Sequence, residues 1–339
     1  MASWLFIISE KCEMKILVLG NRWHGNWSST LHDELLTLGH DSKHIDVRFI
    51  RKTPIYKMDV LRKKIFLIKL RIKLYREISK RKVDRIIVIT PYSIPKEIWT
   101  YVKEKNVPLV GWWGDDPILK KVPVECTKLF DRVYLVDKTW VEKTKIINPN
   151  AFYLPHAASI KNFHPTPKRQ KLYDITFVGD SFSGNSEGVK RAEILKVLYE
   201  NNLSPILFGD AGWNKLLSKY PFIKEIYKGP IIRPGQLNSV YNSSKIVLNI
   251  HHSQIKSGTN QRTFEAAASK AFQLSDYRDS VVLHFGESIE TYSSSEELVK
   301  KASFFLTHPR ERMRRAKKSY KTILEKHSYV QRIKILLES

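Results

Sequence analysis

Cysteine is nearly absent from this chain. Cys12 and Cys126 are the only two, and neither belongs to a C-x-x-C pair or sits beside a histidine cluster. A disulfide framework and a structural zinc site are thereby excluded as organising devices, and the pattern fits a reducing cytosol. No apolar run reaches the length that spans a bilayer, and Trp4–Ile8 is too short for the core of a secretory signal. Metal-ligand spacings such as H-E-x-x-H are missing, which predicts no bound metal, and no helix-turn-helix or zinc finger stands out. G-x-G-x-x-G does not follow the first strand, so a dinucleotide reading has no support. There are no internal repeats or low-complexity tracts. Acid is in short supply: 34 Asp and Glu face 58 Lys and Arg, leaving a net charge of +24. Such a field attracts anionic material of any kind and leaves nucleic acid, anionic lipid and acidic glycan all open as partners. A lysine-rich source composition explains the charge as well.

What is present is globular. The 339 residues, 42% hydrophobic and 11% aromatic, suffice for two cores of ordinary size. Residues 1–13 read as an extension, because the first strand is the run Lys15-Ile16-Leu17-Val18-Leu19-Gly20. An apolar run stopped by glycine has the form of a buried parallel strand. A polar loop containing His24 follows, then a helix over Thr30–Leu38 and a strand over Lys43–Val47. The loop at a strand's carboxyl end faces the ligand crevice of an open α/β sheet, which makes His24 a candidate base or sugar contact. A loop histidine bonded to backbone is the plainer reading.

Met58–Lys82 is the most unusual stretch by composition. Leu61, Ile65, Ile68, Ile72 and Tyr75 form one stripe, Leu67, Leu70, Leu74 and Ile78 lie beside it, and Lys or Arg fills nearly all the rest. A helix of this kind lies on an anionic membrane or turns its stripe to a core. The periodicity favours the core-facing version. Further on, the strand Val107–Gly111 runs into Trp112-Trp113-Gly114-Asp115-Asp116-Pro117. Two carboxylates at a strand's mouth suit acid/base work, although Asp before Pro is also an ordinary turn device. Pro155, Pro165 and Pro167, with Lys168, Arg169 and Lys171, make the best linker in the chain.

The second half restarts the pattern. Asp174–Gly179 and Pro205–Gly209 read as strands, with a Ser/Gly loop over Asp180–Gly188 and a helix over Lys190–Tyr199. On the sequence alone Arg191 reads as a surface residue. The strand Ile246–Ile250 then leads through His251 and His252 to Ser257-Gly258-Thr259-Asn260-Gln261-Arg262-Thr263-Phe264-Glu265-Ala266-Ala267-Ala268. A Gly-Thr-Asn loop feeding a helix start presents backbone N–H groups and a positive dipole end to an anion such as a diphosphate. Arg262 adds a fork-shaped charge for phosphate, and Glu265 can accept two ribose hydroxyls. A capped helix whose Glu only complements the dipole fits the spacing equally well.

N-x-R-x-F-E-A-x-A, followed by an apolar strand that ends in Asp276, resembles the donor-binding helix of glycosyltransferases with the GT-B fold, and in particular the spore-maturation-type group that is similar to the group-1 enzymes. The resemblance implies that Glu265 binds the donor ribose. It implies that Gly258, Thr259, Asn260 and Arg262 shape the donor site, that Gly179, Ser181 and Arg191 form the phosphate-side loop, and that Gly229 turns past the nucleotide base. The family's aromatic residues before D-x-P resemble those before Asp116, which points to Asp116 as the acceptor-side catalytic residue with His24 as its rival. The chain departs from the family at Ser257, where a second Glu is common, and at Ser269-Lys270, where a Gly is usual.

The expected fold is α/β, with two Rossmann-like doubly wound parallel sheets facing a cleft. The first domain is expected over residues 14–160, the donor domain over 170–324, and a terminal helix at about 325–339 returning to the first domain. By resemblance, the chain moves a sugar from a nucleotide-diphosphate sugar to a glycan, lipid-linked or other polymeric acceptor, with no cofactor and no metal. A cytoplasmic place, with peripheral contact to an anionic membrane, fits the composition. A nucleotide-sugar epimerase of the same fold, a DNA-modifying glycosyltransferase and a catalytically dead binding module are the alternatives.

Overall fold

The computed structural model describes residues 13–21, 27–48, 56–89, 91–94, 96–167, 170–231 and 233–338. The chain divides into two compact units. The first takes the residues up to Tyr134, together with Lys143–Phe152 and the stretch from Ile333; the second takes Leu135–Glu142 and Tyr153–Arg332.

The first unit is built on β1 (Lys15–Gly20), β2 (Asp41–Asp46), β3 (Arg85–Val88), β4 (Leu109–Trp113), β5 (Arg132–Leu135) and β6 (Ala151–Tyr153), in the order β2-β1-β3-β4-β5-β6. The sheet is parallel. Ile16, Leu17, Val18 and Leu19 are all buried, as a strand covered on both faces requires. The second unit repeats the plan with β7 (Tyr173–Val178), β8 (Pro205–Phe208), β9 (Ser244–Asn249), β10 (Gln273–Asp276) and β11 (Glu290–Tyr292), in the order β11-β10-β9-β7-β8. All four of its strand pairs are parallel. Strand order reverses between β1 and β3 and between β7 and β9, and such switch points are where open α/β sheets hold ligands.

The long basic helix, Tyr56–Arg81, corrects one expectation. Among its described residues, Leu70, Leu74 and Ile78 are the apolar ones that it buries, beside the charged Asp59 and Glu77. The stripe that the periodicity assigns to the core is exposed instead: Leu61 at 60%, Ile65 at 43%, Ile68 at 59% and Ile72 at 62%. Two apolar stripes share this helix, and only one can face the sheet.

The terminal helix, Tyr329–Glu338, passes from the second unit into the first between Arg332 and Ile333. At its far end the carbonyl of Leu336 accepts from the buried Arg85 guanidinium at the start of β3, at 2.6 Å. Near its beginning, Arg332 donates to the carbonyls of Pro155 (2.8 Å), His156 (3.1 Å) and Lys326 (3.0 Å). Ala158 pairs with His327 and Tyr329 through backbone bonds of 3.0 and 3.3 Å. The proline-rich segment after β6 and the start of the terminal helix are therefore tied together.

Candidate functional site

At the carboxyl ends of β9 and β10, a buried polar network fixes the start of the helix Gln261–Ala268. Asn260 caps it, its Oδ1 accepting from the Thr263 N–H at 3.1 Å. Asn249, the last residue of β9, donates to Asn260 Oδ1 (3.2 Å) and Thr263 Oγ1 (2.7 Å), and accepts from Asn260 Nδ2 at 2.8 Å. Thr259 bonds to Thr263 Oγ1 (2.7 Å) and to His251 Nε2 (2.9 Å). His251 in turn meets Asp276 at 2.6 Å, and Arg278 holds the other oxygen of Asp276 at 3.0 Å. Burial pushes the Asp276 carboxyl up, but His251 and Arg278 outweigh it and keep it below its ordinary value. The side chains of Thr259 and Asn260 are thus spent on the helix start.

The loop before this helix is clamped by Asp137, which the sequence reading passes over. Its Oδ2 accepts from the backbone N–H groups of Lys256 (2.8 Å), Ser257 (2.9 Å) and Gly258 (2.8 Å). Its Oδ1 accepts from the Ser257 hydroxyl (3.0 Å) and from Thr139. Burial raises this carboxyl, and the hydrogen bonds from Thr139, Gly258 and Ser257 pull it below its ordinary value. Gly258 is needed here for close approach: a Cβ would lie 2.4 Å from the Val136 carbonyl oxygen. In the sequence, an acidic residue just before the helix Lys138–Lys145 marks no more than a cap position. Its second task depends on a loop 120 residues away.

What the site offers a ligand is charge. Arg262 and Glu265 lie one turn apart on the same helix face. Glu265 is 5% exposed and accepts from Gln261 Nε2 at 2.9 Å. Burial pushes its carboxyl up to about 7, against the opposing pull of Arg262 and Gln261. Arg191 is not the surface residue that the sequence suggests but is 7% exposed. Its guanidinium donates to the carbonyls of Asp180 (2.6 Å) and Ile250 (3.4 Å), at the ends of β7 and β9, and lies over the Phe182 ring at 4.6 Å. Burial first, and then the neighbouring Arg262, lower its pKa to about 10. Among the described residues neither guanidinium is in an ion pair. Two cations that repel each other at a switch point make a seat for an anion.

Gly179, Ser181 and Gly229, which the resemblance assigns to the donor side, all have structural partners. Gly179 receives the Trp213 indole N–H on its carbonyl at 2.9 Å, and a Cβ on it would meet the Phe177 ring at 2.6 Å and Arg191 at 3.1 Å. Ser181 is buried, with its N–H on Asp210 at 2.7 Å and its hydroxyl accepting from Ser183 N at 3.1 Å. Gly229, at φ +92°, turns the chain beside the end of β8 with its carbonyl on Gly209 N at 3.1 Å.

In the first unit, Asp116 is 4% exposed and its Oδ1 accepts from the N–H groups of Ile118 (2.9 Å) and Leu119 (3.3 Å). Asp115 takes separate partners, the Tyr92 hydroxyl at 3.1 Å and Lys120 at 3.7 Å. None of these contacts is common to the two neighbouring carboxylates. His24 lies outside the described residues.

Residues 190–338 match the family described as Glycosyl transferase-like. That match lies mostly in the second unit, and the two parallel-sheet domains have the fold of the GT-B glycosyltransferases. Among individual proteins, spore protein CgeB of Bacillus subtilis (strain 168) is 25% identical over 261 residues, which are 70% of this chain and 77% of that one. The solved sucrose-phosphate synthase of Thermosynechococcus elongatus is similar over 96% of this chain and 99% of its own, with a TM-score of 0.69 and 11% identity. HepE of Anabaena, solved in complex with UDP and glucose, is similar over 96% of this chain and 100% of its own, with a TM-score of 0.60 and 12% identity. At these identities the likeness to the solved structures is one of fold.

Proposed function

We propose that this chain transfers a sugar from a nucleoside-diphosphate donor to a glycan, lipid-linked or other surface-polymer acceptor without a metal ion. The observation that carries the reading is the buried pair Arg191 and Arg262, which act on each other near the ends of β7 and β9 and form no ion pair among the described residues, although Glu265 and Asp180 favour the charge on Arg262. The diphosphate of a nucleotide sugar already carries negative charge, and its outer phosphate gains one more as the sugar departs. Two guanidiniums and a helix start neutralise that added charge better in the transition state than before it. Glu265, once ionised, accepts the ribose hydroxyls. That HepE binds UDP and glucose supports the donor class.

On the acceptor side, the attacking hydroxyl loses a proton, and Asp116 at the end of β4 is the base we assign to it. Asp116→Asn tests the assignment. Turnover is expected to fall about a hundredfold or more with nucleotide affinity intact. Near-normal turnover demotes Asp116 to a turn residue and moves the search to His24. The donor is found by thermal shift across nucleotide sugars, followed by detection of nucleotide released only when an acceptor is added. Release without any acceptor would favour an epimerase-type reaction.

A further inference from the structure

The second unit carries another electropositive cavity, at the opposite edge of its sheet. In a parallel sheet every strand begins at one edge and ends at the other, and Arg191, Arg262 and Glu265 gather at the ends. At the beginnings, Lys171 stands just before β7, Lys245 is the second residue of β9, and Lys270 lies shortly before β10. Arg310, Arg312 and Lys317, from the helix Pro309–Lys326, close the other wall. Together they line a cavity of about 910 Å³. A six-residue strand separates the two edges by roughly 20 Å, so this is a second site.

No Asp or Glu is among the described residues that line it. Lys245 is paired with Asp174 at 2.6 Å. Lys171 turns its ammonium onto the Asn242 carbonyl at 2.9 Å, and burial together with Arg312 lowers its pKa. Arg312 donates to the carbonyls of Phe305 and Leu306. Lys270, Arg310 and Lys317 make no ion pair among the described residues. Lys270 is informative in its backbone as well. It ends the donor helix in the left-handed region, at φ +54°, where glycine is the residue favoured after a helix. A lysine there carries strain that a glycine would not.

We propose that this cavity binds a linear, non-aromatic polyanion, a chain with repeated phosphate, sulfate or carboxylate groups. The concave shape suits a chain better than a flat bilayer. Phe272, the aromatic residue in the lining, is 3% exposed and offers no platform on which bases could stack.

Long-chain inorganic polyphosphate is the probe, titrated against the full-length protein at several salt concentrations. The triple variant Lys270→Gly, Arg310→Ala, Lys317→Ala is expected to bind about tenfold more weakly or worse, with the salt slope reduced by about three. The charge-matched control Lys215→Ala, Lys219→Ala, Lys224→Ala, on another exposed face, should change affinity by less than about twofold. Lys270→Gly alone separates folding from binding: its melting temperature should hold or rise while polyphosphate affinity falls. Equal losses in the two triple variants, or no loss in the first, overturn the proposal. So does tighter binding of single-stranded oligothymidine than of polyphosphate through the same residues. Anionic phosphatidylglycerol vesicles that require these residues, with no polyphosphate binding, would make the cavity a membrane site and end the polyanion reading.

Discussion

Glu265 is held in a conflict that the proposed donor would resolve. Its folded pKa of about 7 stands above the ordinary 4.5, and burial is the main cause. A raised folded pKa favours the fold fully below pH 4.5 and loses that contribution as pH rises through 7, a difference of about 3 kcal/mol. A ribose needs the ionised form, so nucleotide affinity should rise between pH 6 and pH 8. Glu265→Gln is expected to flatten that rise and weaken binding at pH 8 by about 1.5–3 kcal/mol. The same variant without nucleotide should be more stable than the parent at pH 8 and equal to it near pH 4.5. Calorimetry and melting curves at both pH values check the two signs. A loss of both stability and binding at pH 8 would mark Glu265 as a packing residue. Single residues were legible unevenly. The spacing of Arg262 and Glu265 is visible in the sequence because the two lie one helical turn apart. Asp137 and Arg191 act on backbone far along the chain, and no local spacing reveals that.

Among elements, the parallel strands were the most legible, since a run such as Ile16–Leu19 needs no period to read as covered on both faces. Short pieces were not: the helix Lys96–Glu104 and β11 go unread because each is brief and mixes apolar with charged residues. On the helix Tyr56–Arg81 the period was plain, but which stripe it buries depended on tertiary packing. Its exposed Leu61, Ile65, Ile68 and Ile72, flanked by Lys and Arg, predict attachment to anionic vesicles. Sedimentation with phosphatidylglycerol should pull down the protein, and Ile68→Ser with Ile72→Ser should reduce it severalfold. Equal sedimentation on neutral lipid, or no change in the double variant, counts against the helix. The tie around Arg332 carries an acid-sensitive signature. Burial and then Arg332 depress His156 to about 3, His284 to about 4 and His327 to about 2. Depressed folded values mean a contribution to stability that is present above pH 6.5 and lost as pH falls below it. Three histidines taking up protons on unfolding outweigh the one released by Glu265. Near pH 5.5 stability should therefore fall with acid by roughly 2–3 kcal/mol per pH unit. A flat stability profile from pH 7 to pH 5 would refute the neutral buried cluster.

At the scale of the whole molecule, the question is what balances the charge of a departing diphosphate. Some transferases give that task to a divalent ion held by carboxylates. Here the described residues hold no group of three or more His, Cys, Asp or Glu that could seat one. Two carboxylates around the helix Gln261–Ala268 are already committed, Asp137 to the loop amides and Asp276 to His251 and Arg278. Cation is abundant instead: the chain carries a net charge of +24, and Arg191 and Arg262 stand together at the switch point. Fixed guanidiniums need no ion from solution and lose no strength when chelator is added. Transfer should therefore proceed undiminished in EDTA and gain nothing from magnesium or manganese. Arg262→Ala should lower kcat/KM by about a hundredfold or more, and added metal should not rescue it. Loss of activity in EDTA that magnesium or manganese restores in the parent enzyme would overturn this account. Rescue of Arg262→Ala by magnesium would instead show that the site tolerates an ion where the arginine stood. The contrast between those two results decides whether the protein or the medium supplies the positive charge.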